Sequence, residues 1–164
     1  MLRTIFLVLF ELVFGVAPAS AKIKRATVIP LAVAEKADAD TRAFTGQLSF
    51  ELRRLVAAGF GTYRLAVADP DPVLVAKLPG CTPEVKCLVA IGAGTNADRV
   101  IYGTVRRKAP GFHVKLVLVD VTRRRYERIV DAVMWEDATD VTTLRAWVRK
   151  HYAKLLGSRG AHSS

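Results

Sequence analysis

Two cysteines, three histidines and a scatter of aspartates are the residues of this 164-residue chain most able to do chemistry. Cys81 and Cys87 form a C-x5-C pair, which lacks the tight C-x-x-C spacing of a dithiol catalyst. An even cysteine count suits a structural disulfide in an oxidising compartment, worth about 2–3 kcal/mol for so short a loop. His113, His151 and His162 share no metal-ligand spacing. Gly92-Ala93-Gly94-Thr95-Asn96-Ala97 has the form G-x-G-x-x-A, but it ends a helical pattern and leads into a strand. A phosphate-binding version follows a strand and opens a helix, so that backbone N–H groups face the pyrophosphate. Gly92 and Gly94 are therefore expected to serve close packing or helix termination. There is no G-x-S-x-G elbow, and Ser49 falls within a helical pattern. Asp38 and Asp40 read as helix caps, Asp69 and Asp71 as turn residues, and Asp98 and Asp120 as strand-end residues. No two of these reinforce one another, so no catalytic, cofactor-binding or metal-binding residue is expected, and no cofactor.

Charge gives the second set of candidates. With 25 Lys and Arg against 15 Asp and Glu, the formal net charge is +10. Such a balance favours anionic neighbours: acidic proteins, acidic envelope polymers or lipid headgroups. Arg106-Arg107-Lys108 and Arg123-Arg124-Arg125 are the candidate basic contact residues. They flank one expected strand, Phe112 to Val121, and so lie about 30 Å apart at the usual strand rise. A single nucleic-acid groove is not formed by clusters so placed, and no aromatic residues interleave with them as base-stacking platforms. Nucleic acid is excluded on that ground.

The elements that must position these residues follow from periodicity. Arg25 to Val33 is a nearly continuous apolar strand, interrupted by Pro30, which cannot donate to a ladder. A helix capped by Asp38 or Asp40 carries Phe44, Leu48, Leu52, Leu55 and Val56 on one face, with Arg42, Glu51 and Arg53 pointing elsewhere. Gly59 ends it, and a short strand, Tyr63 to Val67, precedes the Asp69-Pro70-Asp71-Pro72 break. Thr82-Pro83-Glu84 reads as an N-cap, first-turn proline and first-turn acid, opening a helix that runs to about Thr95, with Asn96 as its left-handed stop. Strands follow at Arg99–Arg107, Phe112–Val121 and Tyr126–Trp135, the first turn being type II at Pro110-Gly111. Thr139 or Asp140 caps a last helix bearing Leu144, Trp147, Val148, Tyr152 and Leu155. The order β-α-β-α-β-β-β-α predicts an α/β (α+β) domain: a mixed five-stranded sheet with helices packed on it.

Arg3, the apolar run Ile5 to Val16 and the small-residue site Pro18-Ala19-Ser20-Ala21 read as a secretory signal over residues 1–21, cleaved between Ala21 and Lys22. The mature part is one domain, residues 22–157, with a disordered tail at 158–164 and no transmembrane segment once the signal is gone. Export removes ATP, NAD and chromosomal DNA from the ordinary ligands.

From Cys81 the chain reads Cys-x5-Cys-Leu, then Ile91-Gly92, then Asn96-Ala97-Asp98-Arg99-Val100-Ile101-Tyr102-Gly103-Thr104-Val105, then Leu116-Val117-Leu118-Val119-Asp120-Val121. This progression resembles the exported domains related to the amino-terminal domain of TolB, with a likeness of pattern from about Arg25 to Trp135. The resemblance implies a mixed sheet with packed helices, and envelope protein–protein contacts rather than catalysis. Two departures stand out: Asn96 replaces the usual glycine before Ala97, and arginines replace the glycine common after Asp120-Val121. The expectation is a non-enzymatic periplasmic or cell-envelope binding or adaptor domain of a Gram-negative envelope. Its partner is an envelope protein, with an anionic polymer or lipid surface as the other candidate. Competing readings are a small periplasmic hydrolase with an unrecognised site, and a peripheral membrane protein using the basic carboxy-terminal helix.

Overall fold

A computed structural model describes residues 24–33, 36–60, 63–66, 84–136 and 140–157. The expected signal and its cleavage site, the Asp-Pro loop, Cys81, Thr82, Pro83 and the tail lie outside the described residues. The elements are β1 (Lys24–Val28), β2 (Ala32–Val33), α1 (Ala39–Ala57), β3 (Tyr63–Leu65), α2 (Val85–Gly94), β4 (Arg99–Lys108), β5 (Gly111–Asp120), β6 (Arg125–Trp135) and α3 (Val141–Leu156).

The sheet is mixed, in the order β3-β1-β4-β5-β6, with β2 pairing the far end of β4. β1 runs parallel to β3 and β4, whereas β4, β5 and β6 form an antiparallel meander. Six strands stand where five were expected because Pro30 splits the first one. Ile29 still donates to the Ile101 carbonyl, Pro30 has no N–H to give, and the Leu31 N–H turns to Ser49 Oγ at 3.0 Å. The backbone then rejoins β4 at Ala32↔Thr104.

α1 and α3 cover one face. Phe44, Leu48, Leu52 and Val56 from α1 and Leu144, Val148, Tyr152 and Leu155 from α3 pack on Ile101, Val105, Val114, Leu116 and Leu118. The apolar stripe of α3 is thus consumed by the core, which removes the surface that the membrane-helix reading required. Glu51 was expected to point outward; it is buried, and its carboxylate takes Arg54 at 2.9 Å and Arg145 at 3.0 Å, tying α1 to α3. Trp147 reaches past the core and donates its indole N–H to the Val133 carbonyl of β6 at 3.2 Å.

α2 lies on the other face, where Leu88 and Ile91 meet Ile29, Val100, Tyr102, Val117 and Val119. It starts later than Thr82-Pro83-Glu84 suggested. Glu84 is the N-cap in extended backbone, without a side-chain cap bond, and Val85 is the first helical residue. Gly92 permits close approach: a Cβ there would stand 2.4 Å from Val121 Cγ2 and 2.7 Å from Val100 Cγ2. Asn96 takes a left-handed conformation (φ +52°) just beyond the helix, as its sequence position suggested. The β4–β5 turn is not type II. Gly111 already pairs in the ladder with Lys108 and Trp135, and the bend contains a cis Ala109-Pro110 bond.

Candidate functional site

Helix coverage of the sheet is unequal, and that difference defines the site. α2 covers only the β1-proximal end of its face, so the far half of β4, β5 and β6 has no helix over it among the described residues. Side chains alternate across a sheet, so register alone lists what this half presents. Rows run from β4 through β5 to β6: Tyr102–Val117–Ile129, then Thr104–Lys115–Asp131, then Arg106–His113–Val133, then Lys108–Gly111–Trp135. Tyr102, Thr104, Arg106, Lys108, His113, Lys115, Val117, Ile129 and Asp131 line a trough of about 750 Å³, and Val133 and Trp135 continue the same face beyond it. Ile129, Val133 and Trp135 are exposed, although most residues of their size are buried. At the α2 end, Tyr102 is buried with a hydroxyl that has no hydrogen-bond partner among the described residues. Burial, with some help from nearby Tyr126, pushes its phenol pKa up.

The first basic cluster does not act as a unit. Arg106 and Lys108 face the trough, but Arg107, one residue out of phase, lies on the α1 side. There it pairs with Asp38 at 3.1 Å and with Glu136, and lies over the Phe112 ring. Its hydrogen bond to Asp38 raises the guanidinium pKa. Arg123, Arg124 and Arg125 lie at the other end of β5, one full ten-residue strand away. The structure therefore does not bring the two clusters together. Arg124 sits at φ +52°, the left-handed seat that a glycine would occupy with less strain.

Asp98 and Asp120 mark strand boundaries. The Asp98 carboxylate accepts the Arg25 N–H at 2.9 Å, and Asp120 Oδ1 accepts the Arg123 N–H at 2.9 Å. Asp120 Oδ2 also holds the buried Arg99 at 2.9 Å. A register shift between Leu118 and Val119 leaves Glu127 without an opposite residue, and its carboxylate turns onto Arg99 Nε. Burial opposes the Arg99 charge, but Glu127, Tyr63 and Asp120 outweigh it and raise its pKa. Asp98, Asp120 and Glu127 are thus each held by a cation or a backbone N–H.

Among the described residues, no group of three His, Cys, Asp or Glu side chains is placed to hold a metal ion. No described helix is long and apolar enough to cross a membrane. Cys87 is the third residue of α2, and Cys81 lies outside the described residues. Sequence reading missed Lys115, Asp131, Ile129, Val133 and Trp135 as one surface. The signal was present in the period-two alternation of His113 and Lys115 against Val114 and Leu116.

Against known proteins the match is one of shape. No protein-family model matches the chain, and no curated protein sequence matches it. Among solved structures, hypothetical protein CT253 from Chlamydia trachomatis aligns with a TM-score of 0.52 at 11% identity, over 82% of this chain and 96% of that one. LpoB from E. coli aligns at 0.50 and 15% identity, over 67% of this chain and 55% of that one. TolB from Acinetobacter baumannii aligns at 0.49 and 14% identity, over 83% of this chain but 29% of its own. What is shared is the fold. The α+β architecture implied by the TolB resemblance stands, while this chain spans under a third of TolB.

Proposed function

We propose that this protein is a non-enzymatic, exported binding or adaptor domain of a Gram-negative envelope, and that its contact surface is the uncovered half of the β4–β5–β6 face. The observation that carries the reading is the pairing of Ile129, Val133 and Trp135 with unbridged cations on one face, while the opposite face is filled by α1 and α3. Apolar side chains left exposed in a group, with charge around them, are what a protein interface presents before its partner arrives. Among the described residues, the acids, histidines and Cys87 supply no converging set that would favour a hydrolase. We also propose cleavage between Ala21 and Lys22, and a Cys81–Cys87 disulfide that staples the start of α2. The lack of any free cysteine among the described residues supports the disulfide.

A photo-crosslinking residue in place of Lys115, compared with one in place of Lys150 on α3, tests the surface in intact cells. Crosslinks to an envelope protein are expected from position 115 and not from position 150. Equal labelling, or none from 115, refutes the assignment of the face. Amino-terminal sequencing of the exported protein should begin at Lys22.

A further inference from the structure

We infer that the partner of this face is an acidic, amphipathic polypeptide segment laid lengthwise along β5, with its apolar side on β6 and its carboxylates over β4. This rests on the binding reading above and names the chemistry of the partner. The face is divided lengthwise. Its β6 column carries Ile129, Val133 and Trp135, which are 49%, 36% and 58% exposed, with the exposed Asp131 between the first two. They are three of the five large hydrophobics exposed among the described residues, so the apolar signal is concentrated on one strand. Ile129 and Val133 stand about 13 Å apart and Val133 and Trp135 about 7 Å, from the strand rise. That matches apolar side chains at positions i, i+4 and i+6 of an extended segment.

The other columns are cationic. Arg106 and Lys108 on β4 and Lys115 on β5 lie about 5–10 Å across the sheet from the β6 column. None of the three makes an ion pair among the described residues, whereas Arg54, Arg99, Arg107, Arg123 and Arg145 all do. Asp131, opposite Lys115, is the one acid in these four rows against Arg106, Lys108 and Lys115, and a surplus of cations beside apolar groups is complementary to a segment carrying acids on one side and apolar groups on the other. The aliphatic pair decides between a polypeptide and an acidic glycan. Sugar rings gain most from aromatic faces, and a glycan brings no side chains to bury Ile129 and Val133, whereas a polypeptide does.

The test pans a phage-displayed random dodecapeptide library on the processed protein. A Lys115→Glu/Arg106→Glu variant and a Trp135→Ala variant run in parallel; all three side chains are exposed, and thermal melts verify folding. Enriched sequences, synthesised as peptides, should carry net negative charge with regularly spaced apolar residues. Charge reversal and Trp135→Ala should each weaken their binding at least tenfold, and added salt should weaken it severalfold. Neutral or basic winners that still depend on Trp135 overturn the acidic partner while sparing the face. Winners indifferent to every variant overturn both. Polygalacturonate oligomers that bind tighter than the best peptide, with the same sensitivity to the variants, overturn the polypeptide in favour of an acidic glycan.

Discussion

Replacing Gly92 by alanine separates the packing role of the glycine-rich run from any ligand role. Elsewhere in a helix the change gains about 1 kcal/mol, because alanine is the better helix former. Here the new Cβ would meet Val121 Cγ2 at 2.4 Å and Val100 Cγ2 at 2.7 Å. Ordinary carbon contacts lie near 3.5–4.0 Å, so α2 must lift from the sheet by about 1 Å or the valines must leave their rotamers. Val100 is fully buried and branched at Cβ, which leaves it little freedom to yield. Overpacking of this kind costs about 2–3 kcal/mol, and the net loss after the helix gain is about 1–2 kcal/mol. Urea unfolding followed by circular dichroism measures it. Adding Val121→Ala to Gly92→Ala should recover at least about 0.5 kcal/mol relative to the sum of the single changes. A Gly92→Ala protein as stable as the parent, with no coupling to Val121, would refute the packing account.

Three further outcomes are expected. Arg124→Gly should raise stability by about 0.5 kcal/mol, because glycine relieves the left-handed backbone at φ +52° at some cost in unfolded-state entropy; a lowered melting temperature contradicts this. His151 is held neutral, its pKa lowered to about 4 chiefly by burial and secondarily by Lys154 and Lys150. The unfolded imidazole titrates near 6.5, so the unfolded chain binds the extra proton between these values. The His151 contribution to stability should therefore fall as pH drops from about 6.5 to about 4, by at most about 3 kcal/mol, and change little below. His151→Leu should flatten that stretch of the pH–stability curve, and an unchanged slope in the variant assigns it to other groups. Glu51→Ala should cost about 1–3 kcal/mol through loss of the buried carboxylate between Arg54 and Arg145, measured by chemical denaturation. A value near zero would mean that solvent replaces both ion pairs at no cost.

Much of this architecture was legible because its signals were local. Asp38 and Asp140 accept backbone N–H groups at the starts of α1 and α3, as side chains of their type do before an apolar period. Pro30 announced the break between β1 and β2, and the three long strands were read to within one residue at each end. Misreadings arose where a distant element decided the outcome. Glu51 looked like a solvent-facing residue until Arg145, nearly a hundred residues later, drew it inward. Arg106, Arg107 and Lys108 looked like a single patch, but alternation sends Arg107 to Asp38 and its neighbours to the opposite face. The trough itself was invisible to motif reading, because it is defined by what α2 leaves uncovered.

The eleven-residue outermost strand β6 offers backbone groups that a neighbouring copy could extend into a longer ribbon. Trp147 sits at that rim with its indole on the Val133 carbonyl, so an added strand must first evict a bulky ring to claim that acceptor. At the opposite margin β3 supplies only three residues. Fibre growth is thereby discouraged from both borders, and recognition is directed to the broad side of the sheet, where it leaves the ladder intact.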